Sequence, residues 1–262
     1  MQDIIEIGWG QLALFSLILL IPVGIDRAFK LGLLAESAVS IARMIVQLAL
    51  VGLYLEFLFE LNSVWVNLAW LAVMLVVGSR AISRKAKLRS WRVSVPVFCG
   101  LSLGVLPLVG LMLFGLLQPS PWHHAQYLIP LAGMLLGNSL SANIVALQHL
   151  FGAFEQRELE YHGALSLGAS PGYACFPFVQ AAMRQSFAPI LASMSATGLV
   201  TLPGMMTGQI LGGTSPLLAI KYQLVIMLAI FVMLFVSVAV CLSLSVRSLL
   251  NDSGRLLVQR DA

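Results

Sequence analysis

The sequence has few charged residues, and this scarcity decides its class. Asp, Glu, Lys and Arg together make up 10% of the chain, whereas hydrophobic residues make up 59%. A soluble domain of average composition has about a quarter charged residues. The composition therefore excludes an ordinary soluble protein and predicts an all-α integral membrane protein with several spans.

Signals for nucleic-acid binding and for resident metal chemistry are also weak. The formal net charge of +4 does not indicate nucleic-acid binding, because the basic residues cluster at the ends of apolar segments. The three cysteines, Cys99, Cys175 and Cys241, are far apart and lack metal-ligand spacing, so they are expected to be buried, inert thiols. The adjacent His123 and His124 are a weak metal signal, because neighbours in sequence point apart on a helix. We expect membrane lipid, and no nucleic acid, around this chain.

The chain also lacks the motifs of an ATPase or a hydrolase. It has four lysines, and none of them belongs to a Gly-x-x-x-x-Gly-Lys-Ser/Thr loop. Neither His-Glu-x-x-His nor Gly-x-Ser-x-Gly occurs. We therefore expect a protein that is not an enzyme and binds no cofactor itself. Any ATP-driven work would need ATP and Mg on a separate subunit.

The apolar segments define about seven transmembrane helices in a single transmembrane domain over residues 1–262. The predicted spans are Trp9–Val23, Ser37–Phe59, Val64–Ser79, Val93–Leu117, Gln126–Leu150, Ser186–Leu211 and Leu217–Val246. The basic residues lie mainly after spans one, three and five and at the C-terminus, which predicts an N-terminus outside and a C-terminus in the cytoplasm. The start of the chain is acidic and lacks the basic region of a cleaved signal peptide, so none is expected. The expected location is the plasma (inner) membrane, with multiple passes.

Polar residues at membrane depth mark candidate sites. Arg43 and Gln47 belong to a polar stripe on the second span, and an intramembrane charge normally faces the bundle interior. The alternative is that Arg43 snorkels to the nearby interface. Asn138 and Asn143 lie at the centre of the fifth span and need hydrogen-bond partners. They share that span with a ridge of small residues at Gly133, Gly137 and Ser141.

The stretch 197–213 combines glycines, hydroxyls and a proline inside an apolar region. Gly204, Gly208 and Gly212 recur every four residues and predict close helix packing. Pro203 predicts a bend. On a continuous helix one broad face would carry hydroxyls and glycines, and this face would line the substrate path. Its residues are Ser186, Ser193, Thr197, Thr201, Gly204 and Gly208. The alternative is a tightly packed, kinked helix in which methionines only fill space.

We take the following residues as the candidate substrate path. They are Arg43, Gln47, Asn138, Asn143, Thr197, Thr201, Pro203, Met205, Met206 and Gln209. None is a carboxylate, which a hard metal ion would prefer. The sequence therefore leaves a defined metal site open.

One large polar insertion, residues 152–185 between spans five and six, lies on the cytoplasmic side in this topology. The residues from 155 to 167 are typical of a helix, and Gly168 suits the left-handed position after its end. Ser170 suits a helix N-cap and Pro171 the first helical position. The pattern predicts a helix, a sharp turn and a second helix, which is a docking element for a cytosolic partner.

Two resemblances point to the same class. The segment Leu167-Gly-Ala-Ser-Pro171 resembles the coupling loop of ABC-transporter permeases, although His162 stands where those permeases usually have a glutamate. Nearly the whole chain resembles the FetB-type permeases, a family with bacterial iron-export and plant aluminium-tolerance members. The segments that carry this second resemblance are 130–138, 165–170, 198–206 and 219–223.

The resemblance implies the permease subunit of an ABC transporter that exports iron or a related metal. It implies a permease homodimer with two copies of a cytosolic ATPase subunit. The ATPase would dock on Glu155, Glu158, Glu160, Gly168, Ala169, Ser170 and Pro171. Two alternatives stay open. One is the same architecture carrying an organic solute such as a nucleotide sugar or a lipid-like molecule. The other is a non-transporting membrane scaffold or an intramembrane enzyme.

Overall fold

The structure is a computed structural model, and it describes residues 8–88 and 90–249. In these ranges the chain is helical apart from its connections and a single bridge between Thr197 and Thr201. The nine helices of the described ranges are α1 (Trp9–Phe29), α2 (Leu34–Leu61), α3 (Val64–Lys85), α4 (Trp91–Leu117), α5 (Ala125–Gln156), α6 (Glu158–Ser166), α7 (Pro171–Ala196), α8 (Gly204–Leu211) and α9 (Pro216–Leu249). Helix α1 contains a 3₁₀ turn, and the last part of α4 is a π-helix.

Six of these helices, α1 to α5 and α9, are long and apolar enough to cross a membrane. They confirm the predicted all-helical membrane class. Backbone groups in lipid must be satisfied within the protein, and helices do this without a partner segment. Two of the C-terminal arginines on which the predicted orientation depends, Arg255 and Arg260, lie outside the described residues.

Helices α4 and α9 form the closest pair in the core. A Cβ added at Gly100 would lie 2.5 Å from the carbonyl oxygen of Ser237. A Cβ at Gly104 would lie 2.3 Å from the Met233 sulfur. Neither distance leaves room for a side chain, so the two glycines let α9 approach the backbone of α4. This is the small-residue packing that lipid-embedded helices use in place of a hydrophobic driving force.

Helices α5 and α7 complete the core by packing on each other and on α9. Asn143 on α5 is 1% exposed, and its Nδ2 donates to the Ser237 hydroxyl at 3.0 Å and to the Ser139 carbonyl at 2.9 Å. The predicted need of Asn143 for partners is thus met in part: its Nδ2 bonds to α5 and α9, whereas its Oδ1 is buried without a hydrogen-bond partner among the described residues. Helix α3 packs on α4 and α5 and closes the other side of the core.

Helices α1 and α2 are attached much more loosely. No residue in the most apolar window of α2 is buried. Its contact with the core comes near its C-terminal end, where Leu58 is fully buried and the Tyr54 ring lies 4.2 Å from the Trp70 ring. At the end of α2, the Asn62 side chain accepts a hydrogen bond from the Ala125 amide at 3.2 Å. Most of the apolar surface of both helices is therefore free of contact with this chain.

The predicted sixth span, Ser186–Leu211, is not one helix. Helix α7 ends at Ala196, and α8 begins only at Gly204. The chain leaves the helix at Thr197, whose backbone is extended, and Gly198 follows with a φ of 90°, which is unsuited to an α-helix. The Thr201 amide donates back to the Ala196 carbonyl at 3.2 Å. Pro203 therefore precedes α8 rather than bending a continuous helix, and the break begins at Thr197, six residues before the proline.

The predicted glycine ridge of this region does not pack within the described chain. Helix α8 contains Gly204 and Gly208, whereas Gly212 follows its end. A Cβ at Gly204 or Gly208 would meet nothing within 4 Å. Gly137 in the other predicted ridge is equally open. The close glycine contact lies instead on α4, at two positions that the sequence analysis did not single out.

Candidate functional site

A cleft of about 280 Å³ lies between α5 and α7, with Leu234 of α9 at its base. Helix α5 contributes Asn138 and Ser141, and helix α7 contributes Ser186 and Ser193. The remaining lining residues are Gly137, Ala142, Val145, Pro189 and Ile190. No lining residue is ionisable. The cleft therefore presents neutral hydrogen-bonding groups in an otherwise apolar wall.

The lining of this cleft includes one proline and two polar side chains that are bonded within their own helix. Pro189 lies inside α7 and supplies no N–H, so the carbonyl four residues earlier, that of Gln185, loses its normal helical donor. Asn138 is exposed, and its Nδ2 donates to the Met134 carbonyl at 2.8 Å. Its side-chain oxygen can therefore accept from a guest. The Ser186 hydroxyl donates to the Met183 carbonyl at 2.8 Å.

The predicted path residues fall into three separate groups. Asn138 lines the cleft, and Asn143 lies beneath it in the core, where it holds α5 to α9. Arg43 and Gln47 are exposed on α2 and do not line the cleft. The others lie in the break before α8 or on α8 itself: Thr197, Thr201, Pro203, Met205, Met206 and Gln209. The structure brings only part of the predicted path together.

The break before α8 and α8 itself form a polar element beside α9. The Thr197 hydroxyl donates to the Ser193 carbonyl at 2.8 Å, which connects the break to the end of α7 that lines the cleft. Met205 is half-buried and packs against the core, and Met206 is half-buried. The side-chain oxygens of Gln209 on α8 and Gln223 on α9 are buried without a hydrogen-bond partner among the described residues. Such oxygens usually have a partner, and a bound guest or water would supply one.

Ser141, Ser186 and Ser193 line the cleft. Ser186 and Ser193 belong to the hydroxyl face that the sequence predicts along the route, although the list of candidate path residues leaves all three serines out. Their signal was present in the sequence. The three serines belong to small or hydroxylic faces of two apolar segments. What the sequence does not state is that these two faces meet.

The second candidate surface is the corner formed by α6, the following turn and the start of α7. Gly168 in the turn has a φ of 90°. The Ser170 hydroxyl accepts a weak hydrogen bond from the Tyr173 amide at 3.4 Å, and Pro171 occupies the first position of α7. These residues make the sharp turn that their types predict. The preceding helix is shorter than expected, because α5 continues to Gln156 and a break at Arg157 separates it from α6.

An aromatic cluster fixes this corner to the core. Tyr161 is 3% exposed, and its ring lies 5.4 Å from Phe154 on α5 and 6.5 Å from Phe178 on α7. The Arg157 guanidinium stands 4.8 Å from the centre of the Phe178 ring. Burial, with a smaller contribution from Cys175, raises the pKa of Tyr161 to about 12. The phenol is therefore neutral at any physiological pH.

The outer surface of the corner combines charges with exposed leucines. Arg157 forms an ion pair with Glu160, and its hydrogen bond lowers the pKa of the Glu160 carboxyl. His162 lies 3.6 Å from Glu158. Leu159 is 89% exposed and Leu167 is 91% exposed. Two bare leucines among charged residues suit a protein partner better than either water or lipid.

Within residues 8–88 and 90–249, no group of three or more His, Cys, Asp or Glu side chains is arranged to hold a metal ion. His123 and His124 lie in the connection before α5, and each has a buried Nδ1 without a hydrogen-bond partner in the described chain. The His123 ring contacts Trp122, and the His124 ring contacts Tyr127. A metal ion in the cleft or beside α8 would meet the hydroxyls, amides and thioethers described above.

Comparisons with known proteins agree with this architecture. Residues 9–250 match the sequence profile of the Uncharacterised protein family UPF0014. The chain is 34% identical to "UPF0014 membrane protein slr1647" of Synechocystis over 97% of this chain and 98% of that protein. It is 34% identical to "Protein ALUMINUM SENSITIVE 3" of Arabidopsis thaliana over 84% of this chain and 79% of that protein. It is 28% identical to "Probable iron export permease protein FetB" of Escherichia coli over 95% of this chain and 94% of that protein.

No solved structure matches this chain significantly. The family match covers the whole helical region, including the cleft, the break before α8 and the corner. The six apolar helices of this chain and its membrane-protein relatives show that it is a multi-pass membrane protein. The chain belongs to the UPF0014 family, which includes the aluminium-sensitivity protein and the probable iron-export permease.

Proposed function

We propose that this chain is the permease subunit of an ABC transporter that exports iron or a related metal ion from the cytoplasm. A separate ATPase subunit, carrying ATP and Mg, would drive the transport. The observation that carries the proposal is the corner between α6 and α7, where exposed leucines stand on a rigid polar turn. The name of the E. coli relative supports a metal cargo.

The corner has the properties that force transmission requires. Leu159 and Leu167 offer apolar contact to a partner, and two exposed glutamates, Glu158 and Glu160, flank Leu159 on α6. A third, Glu155, lies in the last turn of α5. Tyr161 anchors the same short helix in the core. Helix α7 then runs directly from the corner to the cleft, since it begins at Pro171 and contributes Ser186 and Ser193 to the cleft wall. A movement imposed on the turn by a docked ATPase would reach the cleft through one helix.

The cleft and the α8 region suit weak, transient binding. The cleft contains no ionisable side chain, and its polar groups are neutral. Weak binding serves an exporter, because a tight site would retain the ion. A partly hydrated or already complexed ion would exchange some of its ligands for hydroxyl and amide oxygens. The thioethers of Met205 and Met206 would give the route a polarisable wall.

A homodimer follows from the mechanism proposed for the partner. Two ATPase subunits act together in ATP-driven permeases, and this chain has one docking corner. Two permease chains would therefore supply two corners. The open glycine faces at Gly137, Gly204 and Gly208 and the uncovered surfaces of α1 and α2 are candidates for the contact between the chains.

The second candidate function is transport of an organic solute such as a nucleotide sugar or a lipid-like molecule. The observation that favours it is the neutral lining of the cleft, together with the missing metal cluster among the described residues. Hydroxyls and amides in an apolar wall recognise such solutes as readily as they solvate an ion.

Reconstitution tests these proposals directly. The chain is co-expressed with a cytosolic ABC ATPase subunit from the same organism, purified as a complex, and placed in liposomes. We expect two permease chains and two ATPase chains by mass measurement, and ATP hydrolysis that ferrous ion stimulates. Stimulation by a nucleotide sugar or a lipid, and not by metal ions, would favour the second candidate. If the chain binds no ATPase, both transport proposals are contradicted, and the non-transporting scaffold becomes the favoured hypothesis.

A further inference from the structure

A groove of about 510 Å³ runs between the start of α4 and the end of α9, away from the cleft and the corner. Its floor and sides are mostly apolar and include Val95, Pro96, Cys99 and Leu244. Arg92 and Arg247, one from each helix, stand at one end beside Trp91. None of the lining residues is acidic. The groove therefore has a cationic end and an apolar body.

The geometry of the groove follows the two helices. Lining residues occur at successive turns of α4, from Trp91 to Cys99, so the groove extends roughly 12 Å along the helix, and its apolar part from Val95 to Cys99 takes up about 6 Å of this length. The Ser248 hydroxyl donates to the Arg92 carbonyl at 3.0 Å, which holds the two walls together at the cationic end. Trp91 is 73% exposed there. An exposed tryptophan at a helix end is typical of the membrane–water interface.

The surrounding charge reinforces the cationic end. The segment 80–92, which connects α3 to α4 and includes the ends of both helices, contains six basic residues and no acidic residue. By the distribution of basic residues, this end of the bundle faces the cytoplasm. The cytoplasmic leaflet is the one that carries anionic lipid.

We propose that this groove binds one anionic phospholipid, with its phosphate between Arg92 and Arg247 and an acyl chain along Val95, Cys99 and Leu244. Two guanidinium groups provide paired donors in the planar arrangement that matches phosphate oxygens. The acyl chain would cover the apolar body. The lipid would thereby bridge the first turn of α4 and the last turn of α9, the two helices of the closest pair in the core. This proposal does not depend on what the protein transports.

The first experiment measures lipid binding to the full-length protein after delipidation in detergent. Native mass spectrometry follows titration with dioleoylphosphatidylglycerol or dioleoylphosphatidylcholine. We expect one phosphatidylglycerol per chain to bind more tightly than phosphatidylcholine. Each arginine near a lipid surface contributes a factor of about five in affinity. The Arg92→Gln, Arg247→Gln double variant should therefore lose roughly 25-fold in phosphatidylglycerol affinity and little in phosphatidylcholine affinity.

The matched control is the Arg80→Gln, Arg84→Gln double variant. It removes the same charge from exposed positions on α3 that do not line the groove, and it should keep the preference for phosphatidylglycerol. Equal affinity of the wild type for both lipids would overturn the proposal. An equal loss in the control would also overturn it, because the effect would then be general surface charge.

A second experiment needs no substitution and covers the case in which the arginine variant does not fold. Cys99 lines the groove and is half-buried, whereas Cys175 and Cys241 are fully buried. Labelling by a membrane-permeant maleimide should therefore report on Cys99. In nanodiscs we expect slower labelling when phosphatidylglycerol replaces part of the phosphatidylcholine. An unchanged labelling rate would contradict the proposal. The rate would stay unchanged, for example, if another part of this chain or a second copy covered the groove in both lipids.

Discussion

Gly100 on α4 lies so close to Ser237 on α9 that an added Cβ would stand 2.5 Å from the serine carbonyl oxygen. The Ser237 hydroxyl also accepts a hydrogen bond at 3.0 Å from the Asn143 Nδ2 of α5. Three helices therefore meet at one residue. Substitutions at this contact on any of the three helices should therefore lower the free energy of unfolding of the whole protein.

Gly100→Ala should destabilise the protein by about 1–3 kcal/mol, because the new methyl group must push the backbone of α9 away. The measurement is thermal unfolding of the detergent-solubilised protein. Gly110→Ala is the matched control, since a Cβ at Gly110 meets nothing within 4 Å. The control should be neutral or slightly stabilising. Equal unfolding temperatures for the two variants would show that α4 and α9 are farther apart than described.

Asn143 and Asn138 should respond differently to alanine. Asn143→Ala removes a buried bond and leaves the Ser237 hydroxyl with one partner fewer, which should cost about 1–3 kcal/mol of stability. Asn138→Ala should leave stability nearly unchanged, because that side chain is exposed in the cleft and bonds only to its own helix. Substrate-stimulated ATP hydrolysis should fall in Asn138→Ala at constant protein level. A stability loss in Asn138→Ala as large as that in Asn143→Ala would contradict this division of roles.

Gly168→Val should uncouple ATP hydrolysis from substrate stimulation. The φ of 90° at this position is strongly disfavoured for a β-branched residue. The turn would have to change, and with it the surface presented by Leu167. Gly168→Asn is the control, because asparagine tolerates left-handed backbone better than other non-glycine residues, and it should retain more coupling. If Gly168→Val assembles and responds to substrate like the wild type, the corner is not the coupling element.

The double change Met205→Leu, Met206→Leu should preserve folding and assembly, since leucine conserves approximate volume and usually costs under about 1.5 kcal/mol. It removes both sulfur atoms from α8. Under the proposed function, substrate-stimulated ATP hydrolysis falls while basal hydrolysis persists. Met112→Leu, a buried core change on α4, should leave stimulation intact. Full stimulation in the double variant would make Met205 and Met206 packing residues only.

The corner should weaken at high pH through Tyr161. Its pKa is about 12 in the folded protein and about 10 when unfolded, so the folded state favours the protonated phenol. This contribution is complete below pH 10 and is lost as the pH rises from about 10 to about 12. Tyr161→Phe cannot ionise and should lose less stability over that range. Thermal unfolding of both proteins from pH 8 to pH 12 provides the comparison, and parallel curves would exclude a role for this ionisation.

The sequence predicts which segments are helices better than it predicts which helices pack against each other. Composition and apolar length identify all six long apolar helices, and the types of Gly168, Ser170 and Pro171 identify the sharp turn. Helix breaks are harder, because Gly198 and Pro203 both disrupt a helix and only the three-dimensional context shows that the break begins before the proline. The four-residue spacing of Gly100 and Gly104 on α4 is visible in the sequence. The sequence does not say which of its glycine ridges packs against another helix, so the pairing of α4 with α9 could not be predicted. The cleft depends on the meeting of α5 and α7, which is information about tertiary contacts.

The position of α9 also sets an order of assembly during synthesis. Among the helices of residues 8–88 and 90–249, α9 is the last long one to leave the ribosome, yet α4, α5 and α7 all pack on it. The glycine face of α4 and the Asn143 amide must therefore wait in the membrane without their final partner. During this interval, lipid, an insertion factor or another helix of the nascent chain must shield those groups. A chain truncated before Pro216 would retain most of its spans and lack the surface on which its core closes.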